Sequence, residues 1–315
     1  RALPNHFRIF RVCRGPRPEK PISEIAIPKC GFYLPDHARY HYRLGLPEQE
    51  DLARKIKQAM EAIEEYKPEL DGILPKDEYF ALTRTSNTLL AELLKNFSNI
   101  PADANGDIFG KIYEFFLGKF ALSEGQKGGE FFTPTSVVKL MVEIIEPHHG
   151  TVYDPACGSA GMFVQSQQFV ERHRKKLDEL GEAHDEDQLY VYGQEKTLDT
   201  VKLAKMNLAV NGLRGEIRQA NSYTENPFDG FGKFDFVMAN PPFNVDSVPL
   251  AAVEDDPRFN TYGLPRKKTK AKASEKGKET VPNANYLWIN LFATSLKNNT
   301  PDTGRAAPGM ANLRT

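Results

Sequence analysis

Apolar residues recur with helical spacing through the first third of the chain, and the rhythm then changes. Leu52, Ile56, Met60 and Ile63 fall on one face of a helix whose other side is filled by glutamate and lysine. Ser86 and Asn87 offer N-caps to a second helix bearing Leu89, Leu90, Leu93 and Leu94. Asp107 precedes a third, with Ile108, Ile112, Phe115 and Phe116 on one face. Such stripes are core far more often than cofactor-binding surfaces, so residues 29–122 read as a small helical N-terminal domain. Residues 1–28, with five arginines, five prolines and little periodicity, read as an irregular arm.

Between Ser123 and Gly129 three glycines in seven residues mark a joint, or a backbone that approaches something closely. From there strands and helices alternate. Pro134 and Ser136 open a helix bearing Val137, Val138, Leu140, Met141 and Ile144. A strand over 151–153 leads into Asp154, and a second over 189–192 leads into Gly193-Gln194-Glu195. A helix from Leu198 to Asn211, a short strand near Ile217 and a strand over 234–239 follow. Tyr286, Leu287, Ile289, Leu291, Phe292 and Leu296 mark one more helix. This alternation predicts an α/β domain over 123–315, with a mostly parallel sheet covered by helices on both faces. The charged stretch 172–187 reads as a solvated helix end and loop.

Composition narrows the picture. Of 315 residues, 40% are hydrophobic and 26% charged, as in a soluble globular protein. No run approaches the roughly 18 to 20 apolar residues of a membrane span, and Arg1 to Lys20 lacks the apolar segment of a secretory signal. Cys13, Cys30 and Cys157 are odd in number and widely spaced, which fits neither a disulfide framework nor a zinc site and suits a reducing cytoplasm. A net charge of -1 gives no basic excess, so any nucleic-acid contact is local or shared with a partner. The basic stretch 266–279, with seven Lys or Arg against two Glu, reads first as a surface loop and second as a phosphate-contacting one.

The candidate chemistry lies at strand ends. Asn240-Pro241-Pro242-Phe243 follows the strand over 234–239, and two prolines stop that strand because neither donates a ladder hydrogen bond. An amide and a ring thus sit on a stiff turn at a carboxyl end, where open α/β sheets place their ligand crevices. Asn240 and the Pro241 carbonyl can accept hydrogen bonds from an exocyclic amine while Phe243 stacks on its ring. Taken alone, these four residues fit a plain proline-rich turn equally well.

Upstream, Asp154-Pro155-Ala156-Cys157-Gly158-Ser159-Ala160-Gly161 links a strand to a helix. Gly158 and Gly161, with Ser159 and Ala160 between them, let the backbone pass close to a ligand. Asp154 can accept from a cationic amine, and the loop amides can meet a carboxylate. S-adenosylmethionine carries both groups. A nicotinamide dinucleotide is less well served, because Gly-x-Gly-x-x-Gly is absent. Glu195 is placed for two ribose hydroxyls and Asn221 for an adenine, although each is an ordinary surface or turn residue by itself. Cys157 reads as packing, with no histidine paired to it. The chemistry calls for no metal.

Read in order, Gly129-Glu130-Phe131-Phe132-Thr133-Pro134, the Asp154–Phe163 loop, Gly193-Gln194-Glu195, Lys205-Met206-Asn207-Leu208 and Asn240-Pro241-Pro242-Phe243-Asn244 closely resemble the methyltransferase subunit of type I restriction–modification systems, a family of N6-adenine DNA methyltransferases. The likeness runs from about Gly31 to about Gly304 and includes Asn283-Ala284-Asn285-Tyr286. It implies an S-adenosylmethionine-dependent, Rossmann-like methyltransferase domain. Glu130, Phe131, Phe132, Thr133, Pro134 and Thr135 would meet the cofactor's methionine end, Ser159 to Gly161 would lie beneath it, Glu195 would take the ribose, and Asn240 to Phe243 would hold the target adenine in duplex DNA. It further implies a second methyltransferase subunit, a DNA-specificity subunit and, for cleavage, a restriction subunit, with the helical domain helping to clamp DNA and contact those partners.

Two departures stand out. The family usually carries an acidic residue where Asn221 stands. Beyond Gly304-Arg305 it continues with an apolar strand, whereas this chain reads Ala306-Ala307-Pro308-Gly309-Met310. A Pro-Gly pair makes a poor central strand, so the sheet is expected to be incomplete or altered at this end. Two rivals remain: a protein glutamine-amide methyltransferase, which shares an Asn-Pro-Pro turn but commonly with Tyr following, and a catalytically silent cofactor-binding or assembly subunit.

Overall fold

The computed structural model describes residues 35–47, 50–83, 88–98, 133, 135–180, 189–245, 248–265, 279–297 and 305–308. The arm 1–28, the N-caps Ser86 and Asn87, the helix expected after Asp107, the glycine-rich joint 123–129 and the basic stretch up to residue 278 lie outside these residues. The chain divides into two compact units, Arg1–Glu114 and Phe115–Thr315.

In the first unit the described residues form helices α1 (Tyr40–Leu44), α2 (Leu52–Tyr66), α3 (Tyr79–Thr83) and α4 (Thr88–Ser98). Asp51 caps α2 by accepting from the Arg54 N–H at 3.0 Å. The core gathers Leu52, Ala53, Ile56 and Leu90, with Met60, Tyr79, Phe80 and Leu94 packed against it. Not every stripe residue turns inward: Leu89 and Leu93 are exposed, and Ile63 is only partly buried, leaving Ala59 and Ala62 to pack on Ala38.

The second unit runs α5 (Thr135–Ile145), β1 (Gly150–Asp154), α6 (Gly161–Leu180), β2 (Leu189–Glu195), α7 (Leu198–Asn211), β3 (Arg214–Gln219), β4 (Phe236–Ala239), β5 (Val248–Pro249), α8 (Pro257–Asn260), β6 (Thr280–Val281), α9 (Asn285–Ser295) and β7 (Arg305–Pro308). Among the described residues the main sheet has the order β3-β2-β1-β4-β7 and is parallel throughout. β5 and β6 form a small antiparallel pair. Alternation along the strands sorts two cores. Val152, Val191 and Met238 face one side with residues of α5, α6 and α7. Tyr153, Val237 and Ala239 face the other with Leu287, Trp288, Leu291 and Phe292 of α9.

Two expectations are corrected. The strand over 234–239 starts late, because Asp235 turns its carboxylate to the foot of β1, where Oδ2 accepts from the Thr151 N–H at 2.8 Å and hydroxyl at 2.7 Å. Phe234 pairs only with Leu296, as an isolated bridge. The tail expected to leave the sheet altered does supply a strand: Arg305–Pro308 pairs in register with Phe236–Ala239. Pro308 occupies the last position of a strand that pairs on one side only among the described residues, so its missing N–H disturbs the ladder least there. No described helix is long and apolar enough to cross a membrane.

Candidate active site

Because the sheet is parallel, the carboxyl ends of β1, β2, β3 and β4 open on one edge. The chain leaves β1 toward β2 on one side and reaches β4 on the other, which makes the β1/β4 boundary a topological switch point. Asp154, Glu195, Asn221 and Asn240 all stand at or just beyond these strand ends.

The loop after β1 is held in a demanding shape. Gly158 has φ 53° and Ala160 φ 69°, and a non-glycine residue in the left-handed region is uncommon enough to mark a constrained segment. Three contacts fix it. The Cys157 N–H donates to the Gln194 carbonyl at 2.9 Å and the Ala160 N–H to the Cys157 carbonyl at 2.8 Å. The Asn207 amide, from α7, donates to the Ser159 carbonyl at 2.9 Å. Cys157 packs where Gly193 has no side chain; a Cβ at Gly193 would lie 2.8 Å from the sulfur and 2.5 Å from Ile217 Cδ1. Burial pushes the Cys157 thiol well up, which suits packing and not nucleophilic attack.

Asp154 is 2% exposed. Its Oδ1 accepts from the Ala156 N–H at 2.9 Å. Burial pushes its pKa up to about 8, against the pull of that bond, with the Glu195 charge adding to the rise. A carboxyl held so reluctantly charged suits a cationic ligand group, whose arrival would favour the ionised form. Glu195 is half-buried, and one of its oxygens accepts from the Thr197 N–H at 2.8 Å. Asn221 starts a turn: its Oδ1 accepts from the Tyr223 N–H at 3.1 Å, and its own N–H donates to Glu225 at 2.6 Å.

At the end of β4, Pro241 is buried and Asn240, Pro242 and Phe243 are half-buried. The Asn240 Nδ2 donates to the Thr133 hydroxyl at 2.9 Å, joining residues 107 apart in sequence. Thr133, expected at the cofactor, therefore also touches the turn. Glu130, Phe131, Phe132 and Pro134 lie outside the described residues, and Thr135 opens α5. Past the turn, Asn244 at φ 56° meets Asn283 and Asn285 at the start of α9.

Some supporting residues carry no sign of their role in the sequence. Asn207 belongs to the Lys205-Met206-Asn207-Leu208 motif, but nothing in its type, an amide inside a helix where straight-chain residues are preferred, points to the Ser159 carbonyl. Ser222 donates to the Pro155 carbonyl. Arg258, 2% exposed, holds the same region by donating to the Glu225 carbonyl at 2.9 Å and to Asp256 Oδ2 at 2.6 Å. A buried arginine from a short helix after an unpredicted strand has no sequence signal. Among the described residues no group of three or more His, Cys, Asp or Glu is arranged to hold a metal ion.

A family model for N-6 DNA Methylase matches residues 104–307. The chain belongs to this family. The chain is 35% identical over 291 residues to the type I restriction enzyme MjaIX methylase subunit of Methanocaldococcus jannaschii, covering 89% of this chain and 47% of that protein. It is 33% identical over 288 residues to the HindI methylase subunit of Haemophilus influenzae, covering 88% and 57%. It thus spans about half the length of the curated relatives it matches. The crystal structure of a type I restriction-modification methyltransferase subunit from Streptococcus thermophilus superposes with a TM-score of 0.65 at 20% identity, over 92% of this chain and 60% of that one. The chain therefore has the α/β, Rossmann-like fold seen in that structure.

Proposed function

We propose that this chain transfers a methyl group from S-adenosylmethionine to N6 of adenine in duplex DNA, as the modification part of a type I restriction–modification complex. The observation that carries the reading is the bond from Asn240 Nδ2 to Thr133. With its NH2 group so engaged, the amide presents Oδ1, an acceptor, to whatever enters beside Phe243. An acceptor selects an N–H donor, as an exocyclic amine is.

The residues fit the cofactor. Asp154 offers a buried carboxyl to the α-ammonium, the strained Gly158–Ala160 backbone allows close approach, and Glu195 stands at the next strand end for the ribose. Bound there, S-adenosylmethionine supplies an electrophilic methyl group on a sulfonium.

This chain's own part is positioning and electrostatics. The lone pair of N6 is delocalised into the purine ring, which makes it a poor nucleophile. Acceptors at Asn240 Oδ1 and the Pro241 carbonyl draw the amine hydrogens toward themselves and favour a localised lone pair aimed at the methyl. Bringing N6 into reach requires the base to leave the duplex, at a few kcal/mol, and stacking on Phe243 offsets roughly 1–3 kcal/mol of that. A net charge of -1 supports shared DNA binding, with a DNA-specificity subunit, a second methylase subunit and, for cleavage, a restriction subunit. The buried, unpaired Cys157 thiol suits a cytoplasmic setting.

The test is Asn240→Ala in the full-length protein assembled with its specificity subunit. The variant is expected to bind S-adenosylmethionine with unchanged affinity and to lose methyl transfer; substantial DNA methylation by it would refute the assignment.

A further inference from the structure

The Asn240–Phe243 turn is held at its entrance by Thr133, and its exit is held from a different direction. Asn244, the residue after Phe243, is exposed and sits at φ 56° in the left-handed region, which asparagine tolerates better than most residues. Two asparagines at the start of α9 converge on it. Asn285 Oδ1 accepts from the Asn244 N–H at 2.9 Å, and Asn285 Nδ2 donates back to Asn244 Oδ1 at 3.2 Å. Asn283 Nδ2 donates to the same oxygen at 3.5 Å, while Asn283 Oδ1 fixes Asn285 by accepting its N–H at 2.8 Å. The next residue is tied as well, since the Ala284 N–H donates to the Val245 carbonyl at 3.2 Å.

The far end of this clamp is rigid. Leu287 and Leu291 are fully buried, and Trp288 and Phe292 nearly so, which roots α9 in the core beneath β4. Exposed amide–amide bonds add little stability, because water competes for every partner. Their effect here is geometric. They converge from a buried helix on one residue, in an unusual backbone conformation, directly after the ring and amide of the turn.

We infer that Asn285, supported by Asn283, is a positioning residue for the catalytic turn, fixing the exit of Asn240–Phe243 so that the Asn240 acceptor and the Phe243 ring keep their setting. The inference rests on the methyl-transfer reading. A misplacement of about 1 Å at a reacting group can cost about 10²-fold in rate. Loss of the clamp therefore acts on turnover and spares the cofactor's proposed anchors Asp154 and Glu195, which stand at the ends of β1 and β2.

Asn285→Ala and Asn285→Asp in the full-length protein test it, by titration calorimetry with S-adenosylmethionine, by kcat and KM on adenine-containing duplex DNA with the specificity subunit, and by hydrogen exchange. The alanine variant is expected to bind cofactor within about twofold of wild type, to lose about 10²-fold in kcat, and to exchange faster over 240–245. Asn285→Asp keeps an acceptor for the Asn244 N–H, the shorter of the two bonds between these residues, so it is expected to restore kcat to within about tenfold of wild type. Wild-type kcat in the alanine variant, or a parallel loss of cofactor affinity and of turnover in both variants, overturns the inference. If wild type itself methylates no DNA, the functional reading fails separately. The clamp is then decided by exchange: acceleration confined to 240–245 supports it, and unchanged exchange overturns it.

Discussion

Replacing Asp154 by asparagine should make the cofactor-free protein more stable at alkaline pH while weakening its hold on S-adenosylmethionine. The carboxyl is 2% exposed, and burial, opposed by the Ala156 N–H and reinforced by Glu195, raises its pKa from an ordinary 3.8 to about 8. The folded value lies above the unfolded one, so between the two the folded state binds more protons. Stability from this group is therefore present in full at low pH and falls as pH rises from about 4 to about 8. At about 1.36 kcal/mol per pH unit the loss at pH 9 is on the order of 5 kcal/mol, reduced by whatever relaxation the loop allows. Asparagine is of the same shape, keeps the acceptor for Ala156 and cannot ionise. Thermal melts of wild type and Asp154→Asn without cofactor, from pH 5 to 9, give the difference directly. The variant should gain on wild type steadily as pH rises, and adding S-adenosylmethionine should stabilise wild type far more than the variant. Parallel pH profiles, or a variant less stable than wild type at pH 9, would refute the reasoning, because the carboxylate would then be well served by its surroundings.

Two further outcomes follow from contacts around the strand ends. Asn207→Leu removes the donor to the Ser159 carbonyl; leaving that group without its partner costs about 1–3 kcal/mol, and cofactor affinity measured by calorimetry should fall about tenfold or more. Burial alone would raise the Asp235 pKa, but Lys297, with its Nζ at 2.7 Å, and the two Thr151 donors hold it below the usual carboxylate range. Its stabilisation is present above about pH 4 and is lost as pH falls through the lowered value. Asp235→Asn should thus cost about 1–3 kcal/mol in denaturant melts at pH 7, with the difference from wild type shrinking below pH 4.

What the sequence reveals depends on how local the physics is. The parallel core is legible because β1, β2 and β4 are short apolar runs ending in Asp154, Glu195 and Asn240, and turn chemistry marks those ends sharply. β7 is not, because two alanines and a proline carry no strand pattern; pairing with β4 decides their conformation. Leu89 and Leu93 share a helix with the buried Leu90, yet periodicity does not say how wide a face the neighbouring helices cover. At the site, the residues proposed to meet a ligand stand out by type. Those that hold others in place are ordinary in type and act at a distance: Asn207 lies 48 residues from Ser159, Asn285 41 from Asn244 and Arg258 33 from Glu225.

The identity of the methylated product decides whether this chain acts on N6 of adenine. The full-length protein with its specificity subunit is incubated with methyl-labelled S-adenosylmethionine and duplex DNA, and the DNA is digested to nucleosides. Label recovered in N6-methyladenosine of the deoxy series, and absent with Asn240→Ala, is the predicted result. Label in a cytosine product, label on protein, or cofactor binding with no transfer at all would contradict it.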